Sequence, residues 1–134
     1  MSLYFFAKSL ITKFLALKDF KVDGLENVPL EGPVIVACNH VSYWDPVLIG
    51  CALPRQVFFM AKDDLFKKPL LGFLIKKLGA FPVKRKQGDV SAIRKSLEIL
   101  KENKVLGIFP EGTRSKSGTI QEAMAGVVII MEKS

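Results

Sequence analysis

The only histidine of the chain, His40, stands five positions before a carboxylate, Asp45. Histidine is the side chain whose ordinary pKa lies near neutrality, so it is a natural proton acceptor. A nearby carboxylate can hold one ring nitrogen and leave the other free to take a proton. This spacing does not put two side chains on one face of a helix, so the chain must turn between them, and Ser42 and the Asp45-Pro46 pair favour such a turn. The pattern predicts a general base with an orienting carboxylate.

Two other interpretations of these residues stay open at this point. Asp45 ahead of Pro46 is also typical of a helix N-cap followed by the first helical residue. His40 alone also fits an ordinary hydrogen-bonded histidine at the end of a strand, because structural histidines occupy such positions too.

The composition narrows the classes of partner. The 134 residues are enough for one domain with a core, 49% of them are hydrophobic, and the formal net charge is +7. A basic and apolar protein fits an anionic membrane surface, whereas nucleic acid fits the charge but not the apolar surplus. The two cysteines, Cys38 and Cys51, lie in apolar segments and indicate reduced core thiols in a cytosolic setting.

The first 18 residues predict a basic amphipathic helix. No apolar stretch of the sequence approaches the roughly 20 residues that a membrane span needs. We therefore expect residues 1–18 to lie in a membrane interface, and the alternative is a helix docked on the core of this protein. The helix would place five large apolar side chains on one side: Leu3, Phe6, Leu10, Phe14 and Leu17.

Strand-like and helix-like segments alternate along the rest of the chain. Such alternation predicts an α/β fold with a largely parallel central sheet flanked by helices. The predicted strands are 20–22, 34–38, 56–61, 80–83 and 105–109. The predicted helices are 46–53, 63–78 with a break at Pro69, 89–103 and 121–133.

Three polar clusters follow predicted strands. Ligands of open α/β sheets collect at the carboxyl ends of the strands, so these clusters are expected to share one rim. His40 follows the strand at 34–38, residues 111–115 follow the last strand, and Arg85 follows the strand at 80–83. Arg85 also lies in a run of three basic residues, which is typical of a solvated turn.

The cluster at 111–115 has the parts of an anion site. Gly112 lets backbone amides approach a ligand closely, and Arg114 offers a bidentate fork for phosphate. Thr113 and Ser115 add hydroxyl donors, and Glu111 could orient Arg114 or hold a substrate hydroxyl. The alternative is an ordinary polar turn with a surface ion pair.

These clusters together resemble the motifs of the glycerolipid acyltransferase family. The run NHVSYWDP at 39–46 resembles the first motif, HX4D, in which four residues separate His from Asp. The run FPEGTRS at 109–115 resembles the third motif, and GAFPVKR at 79–85 resembles the second, with Arg85 at the arginine of that motif. The motifs occur in order through nearly all of the chain. Within the family, the enzymes that acylate 1-acylglycerol-3-phosphate (lysophosphatidate) are the most similar.

The resemblance implies a fold, a reaction and a cellular location for this protein. It implies a glycerol-3-phosphate acyltransferase-like fold, with 19–134 as the N-terminal part of the catalytic domain. An acyl group would pass from acyl-CoA or acyl carrier protein directly to the free hydroxyl of lysophosphatidate. The product would be phosphatidate, in phospholipid biosynthesis, with no metal and no cofactor. The resemblance also implies a peripheral or monotopic protein on the cytoplasmic face of the cell membrane.

The resemblance assigns roles to particular residues. His40 would be the general base, and Asp45 would orient it and stabilise its protonated form. The acceptor site with its phosphate would be formed by Arg85, Glu111, Gly112, Thr113 and Arg114. The lysine pairs at 67–68 and 76–77, on either side of an apolar segment, could press on anionic headgroups.

The sequence departs from the family pattern at two points, and each departure has an expected consequence. Lys84 stands where relatives often have an acidic residue, which would alter the acceptor pocket. The family continues into a fourth motif, an apolar strand that contains proline, and the sequence reaches Ser134 before it. We therefore expect weak or absent turnover by the 134 residues alone. The alternative function is an inactive lipid-surface binding fragment.

Two further chemistries are disfavoured by the sequence. Cys38 could act as a thiol nucleophile with His40, but its apolar run has no other cationic neighbour that would lower the thiol pKa. A zinc site through His40 and Asp45 would have too few ligands.

Overall fold

The computed structural model describes residues 2–84 and 89–134. The helices are α1 (Leu3–Ala16), α2 (Asp45–Ala52), α3 (Asp63–Phe66), α4 (Pro69–Lys77), α5 (Val90–Lys101) and α6 (Ala125–Lys133), with a 3-10 turn at Leu25–Asn27. The strands are β1 (Val34–Ala37), β2 (Val57–Lys62), β3 (Phe81–Val83) and β4 (Val105–Ile108). The predicted break at Pro69 is confirmed, because the long helix divides there into α3 and α4.

The four strands form one parallel sheet in the order β1-β4-β2-β3. The last strand of the sequence therefore enters between the first two, with Val34 and Val57 both paired to Val105. All four residues of β4 are buried, as expected of a central parallel strand that is covered on both faces. The predicted α/β fold with a largely parallel sheet is confirmed.

Each face of the sheet carries its own hydrophobic core. On one face Leu106 and Ile108 pack against Ile99 of α5 and Ile130 of α6. On the other face Val57, Phe59 and Val105 pack against Leu53, which follows α2. The two faces separate because neighbouring residues of a strand point to opposite sides.

Two predicted elements differ from the structure. The predicted strand at 20–22 is wrong: these residues form no strand, and the Phe20 amide instead donates to Leu15 O at the end of α1. The predicted helix at 121–133 begins only at Ala125. The preceding residues are held in another way, because the Gln121 amide donates to the Glu111 carboxylate and the Met124 amide to Pro110 O.

Helix α1 docks through the side opposite to its predicted apolar stripe. Tyr4 is buried, and its hydroxyl accepts from the Val57 amide and donates to Gly50 O. The Lys8 ammonium donates to Leu53 O. The five stripe residues named above remain 42–83% exposed. Helix α1 thus docks on the core through one side and leaves its apolar side uncovered. Membrane contact by the apolar side stays a prediction.

A helix that crosses a membrane must be both long and apolar. In residues 2–84 and 89–134, no helix is both long and apolar enough to cross a membrane.

Candidate functional site

The predicted pair of His40 and Asp45 is brought together in the structure. His40 Nδ1 lies 2.8 Å from Asp45 Oδ2, and both side chains are largely buried, with 11% and 15% of their surfaces exposed. The same oxygen accepts the backbone amides of Val41 at 2.7 Å and Ser42 at 2.8 Å. One carboxylate oxygen therefore fixes both the histidine ring and the turn that carries it.

This turn forms because the chain leaves the sheet and enters a helix within a few residues. The Cys38 amide still donates to Ile108 O, which continues the ladder between β1 and β4. Ser42 Oγ then accepts the Trp44 amide, and Ser42 O accepts the Asp45 amide. The N-cap of α2 is Trp44, and no side chain caps this helix. The N-cap interpretation of Asp45 is therefore wrong, because its carboxylate faces back towards the histidine.

The environment of Asp45 favours its ionised form. Burial raises the pKa of Asp45, but the hydrogen bonds from Ser42, Val41 and His40 outweigh burial and hold this pKa below its ordinary value. Asp45 is thus a carboxylate near neutral pH. It can accept a proton-bearing Nδ1 and stabilise a positive charge on the ring, which leaves Nε2 as the nitrogen that can take a proton.

The histidine ring rests on aromatic side chains of the core. Its centroid lies 4.1 Å from that of Phe109 in a stacked arrangement, and Phe109 stacks in turn on Phe59 at 5.5 Å. Gly107 makes room for this column, since a Cβ at that position would overlap the Phe59 ring. We call Phe59, Phe109 and His40 the aromatic column.

The cluster at 111–115 lies beside the histidine, because β1 and β4 are neighbours in the sheet, and the predicted shared rim is confirmed for these two clusters. The Ser115 amide donates to His40 O at 2.7 Å. The Arg114 guanidinium stacks on Tyr43 at 3.6 Å from the ring centroid and donates to the Tyr43 hydroxyl at 2.8 Å. Thr113 and Arg114 line the same cavity as His40. The geometry puts a cation near the proposed base, as an anionic acceptor would require.

The other two members of this cluster shape the turn. Gly112 has a φ of +71°, a conformation that side-chain-bearing residues rarely adopt, and a Cβ there would overlap Met124 Sδ. Glu111 is buried, and its carboxylate accepts the Gln121 amide at 2.9 Å. In the described structure Glu111 therefore supports the backbone and forms no ion pair with Arg114.

Arg85, the third predicted cluster, lies outside the residues that the structure describes. Lys84, the last described residue before it, follows β3, which forms the sheet edge opposite to β1. The placement of Arg85 in the acceptor site stays a prediction.

An apolar cavity of about 440 Å³ extends from the histidine across the α2 side of the sheet. Phe59 and Ala61 line it from β2, and it also touches both α1 and α4. Among the polar side chains that line it, His40, Tyr43, Thr113 and Arg114 come from the turns after β1 and β4, and Lys8 and Lys62 come from α1 and β2. Cavities of this kind bind a largely apolar ligand and orient it through a few polar groups at one end.

The competing chemistries have little support in this geometry. Burial, and then the negative charge of Asp45, raise the pKa of the Cys38 thiol, which disfavours the thiolate that a nucleophile needs. Cys38 and Cys51 are both free thiols. Within residues 2–84 and 89–134, no three His, Cys, Asp or Glu side chains are grouped so that they could hold a metal ion.

Sequence reasoning missed two residues of this site. Tyr43 lies inside the first motif and holds Arg114, and Phe109 opens the third motif and supports the histidine ring. The sequence feature that could have identified them is an aromatic side chain within a run of polar motif residues. However, an aromatic residue at a strand end is usually explained by the core, so its sequence position alone does not indicate a polar partner.

Residues 19–134 match the protein-family model described as Acyltransferase. The chain is 35% identical over 132 residues to 1-acyl-sn-glycerol-3-phosphate acyltransferase of Bacillus subtilis, covering 92% of this chain and 66% of that protein. It is 30% identical over 116 residues to the chloroplastic enzyme LPAT1 of Arabidopsis thaliana, covering 84% and 32%.

A solved structure is similar as well. The crystal structure of the 1-acyl-sn-glycerophosphate (LPA) acyltransferase PlsC from Thermotoga maritima matches with a TM-score of 0.71 and 30% identity. The match covers 94% of this chain and 52% of that one. The chain thus spans less than two thirds of the length of each of these relatives.

Proposed function

Because this chain belongs to the acyltransferase family, we propose that the whole protein transfers a fatty acyl group from a thioester to the free hydroxyl of 1-acylglycerol-3-phosphate and so makes phosphatidate. The observation that carries the proposal is the hydrogen-bonded pair of His40 and Asp45, in which His40 lines a largely apolar cavity. The relatives whose names specify this acceptor support the choice of substrate.

The reaction begins with proton transfer to His40. Asp45 holds Nδ1, so Nε2 takes the proton of the substrate hydroxyl as that oxygen attacks the thioester carbonyl. The new C–O bond forms, the C–S bond then breaks, and the leaving thiolate takes the proton from Nε2. Asp45, ionised because its pKa is lowered, stabilises the positive ring between these two events.

The acceptor phosphate binds beside this pair. Arg114 carries the charge and fork geometry that phosphate recognition needs, and its side chain lies at the cavity, stacked on Tyr43. Thr113 adds a hydroxyl, and Gly112 gives the turn its shape. Arg85 completes the phosphate site in this proposal, on the strength of its place in the second motif.

The acyl chain occupies the apolar cavity, and the reaction takes place at the cytoplasmic face of the cell membrane. The thioester is carried by coenzyme A or by acyl carrier protein. The exposed apolar stripe of α1 supports membrane contact, because five large apolar side chains are left uncovered on one helix of a basic protein.

The proposal is tested with membranes from cells that express the whole protein. Acyl thioester and lysophosphatidate are added, and both free thiol and phosphatidate are measured. We expect turnover by the wild-type protein and a loss of at least a hundredfold in His40→Ala. Equal turnover by the two proteins would refute the role of His40.

The second candidate, an inactive lipid-surface binding protein, is favoured only by the uncovered stripe of α1. It predicts vesicle binding without thioester consumption by either protein. The same assay therefore separates the two functions.

A further inference from the structure

Helix α4 presents a row of exposed apolar side chains that no other described element covers. Leu70 is 82% exposed, Phe73 61% and Leu74 42%, and their spacing puts them on one face of the helix. The opposite face carries Gly72, which is buried, and Ile75, which lines the cavity. Contiguous exposed apolar surface of this kind marks an interaction site.

The charges around this face identify the chemistry of its partner. Lys68 precedes the helix, and Lys76 and Lys77 end it. Among the described residues these three lysines form no ion pair, whereas Lys67 is paired with Asp64 at 2.8 Å. The apolar face is therefore bordered at both ends by positive charge.

We infer that α4 is a second membrane-binding helix, which lies flat on an anionic phospholipid surface and inserts Leu70, Phe73 and Leu74 between the headgroups. The inference rests on the proposed function, because a lipid substrate brings the protein to a bilayer. It adds a contact that is separate from the stripe of α1.

The dimensions of α4 suit this arrangement. Its nine residues span about 13 Å, and a helix lying in the plane of the interface keeps both of its ends at headgroup depth. Lysine stems can cover apolar surface while their ammonium groups reach the lipid phosphates. The Lys77 ammonium already lies 5.7 Å from the centroid of the Phe73 ring, beside the face that inserts.

A lipid surface explains the residue types better than a protein partner does. The cores of protein interfaces are depleted of lysine and enriched in arginine and aromatic residues. The exposed side of α4 has leucines and one phenylalanine between lysines, which is the composition of an interfacial membrane helix.

Vesicle flotation of the full chain tests the inference with a closely matched control. The test variant is L70D/F73D, whose positions are 82% and 61% exposed. The control is I120D/V90D, whose positions are 83% and 65% exposed and lie outside α4. Both variants change the net charge equally and remove two exposed apolar side chains.

Vesicles contain about 30% phosphatidylglycerol in phosphatidylcholine. We expect the partition coefficient of L70D/F73D to fall at least tenfold, or about 1.4 kcal/mol, and that of I120D/V90D to fall no more than about threefold. An equal fall in both variants would overturn the inference. The triple variant K68Q/K76Q/K77Q should bind these vesicles no more tightly than it binds pure phosphatidylcholine, because it loses the attraction to anionic headgroups and keeps the apolar contact.

A spectroscopic measurement avoids any dependence on the folding of the aspartate variants. The only tryptophan, Trp44, is replaced by phenylalanine, and F73W is introduced. Insertion predicts a blue-shifted emission on vesicles and quenching by brominated lipid chains, and an unchanged spectrum would overturn the inference. None of these measurements requires turnover, so their failure would leave the proposed reaction standing. Conversely, an inactive protein could still bind vesicles.

Discussion

The hydrogen bonds of Asp45 make Asp45→Asn the most informative substitution in the site. Asparagine keeps the shape of the side chain and removes its charge. In the reaction, His40 becomes positive 2.8 Å from this group, within a pair that is 11% and 15% exposed. Leaving a buried charge without its partner costs about 3–5 kcal/mol. At 1.36 kcal/mol for each factor of ten, kcat is expected to fall by about 10² to 10⁴.

The loss should appear in kcat, because the charge that Asp45 stabilises arises only as His40 takes the proton of the hydroxyl. The assay follows thiol release at saturating lysophosphatidate. Asp64→Asn is the matched control, since Asp64 also lies 2.8 Å from a cation, Lys67, but is exposed and does not line the cavity. Its kcat should stay within about twofold of wild type. If Asp45→Asn retains more than a tenth of kcat, or raises only KM, the proposed role of Asp45 is wrong.

The same carboxylate makes the stability of the site depend on pH. The folded protein holds the pKa of Asp45 below its ordinary value, which is about 3.9. Its stabilising contribution is therefore complete above that pH and is lost as the pH falls through the folded pKa. Urea denaturation should show wild type more stable than Asp45→Asn at pH 6, with a gap that narrows below about pH 4. A gap that is constant with pH would contradict this account.

Three further substitutions test other contacts of the site. Gly107→Ala should destabilise the fold by about 1–3 kcal/mol in urea denaturation, because the added methyl group overlaps the Phe59 ring, and wild-type stability would refute this packing. Tyr43→Phe should raise KM for lysophosphatidate about twofold to tenfold at unchanged kcat, because Arg114 loses one hydrogen bond and keeps the stacked ring. An unchanged KM would remove Tyr43 from the acceptor site. Cys38→Ser should keep turnover within about twofold, and iodoacetamide should not inhibit wild type at neutral pH, because the raised thiol pKa keeps Cys38 protonated.

The sequence predicts the elements of this fold better than their arrangement. The strand at 34–38 and the helix break at Pro69 are confirmed, because a bounded apolar run and a missing amide act locally. Strand order is not local. That β4 enters between β1 and β2 follows from how two cores close around the sheet, and hydrophobic periodicity carries no such information.

The wrong predictions from the sequence also come from contacts between distant parts of the chain. The alternation at 20–22 resembles a strand, but a strand needs a neighbour, and the sheet offers none there. The last helix begins late, and the segment before it is held to the turn after β4 by the amides of Gln121 and Met124. Sequence reasoning assigned the Glu111 carboxylate to Arg114 or to a substrate hydroxyl. Spacing revealed the pair of His40 and Asp45, whereas the partner of Arg114 comes from a segment about 70 residues away.

The aromatic column couples the packing of one core to the position of His40, which limits how this side of the protein can be engineered or can evolve. The ring of His40, the proposed proton acceptor, stacks on Phe109, which stacks on Phe59, and Phe59 fits only because Gly107 has no side chain. Selection for a tighter core on this side of the sheet would therefore also move the reacting nitrogen. The other side, where Ile99 packs against α6, is separated from the histidine by the sheet itself. Substitutions in the core beneath α5 and α6 should therefore change thermal stability without changing the proposed catalysis. Substitutions on the side that holds the aromatic column should change both.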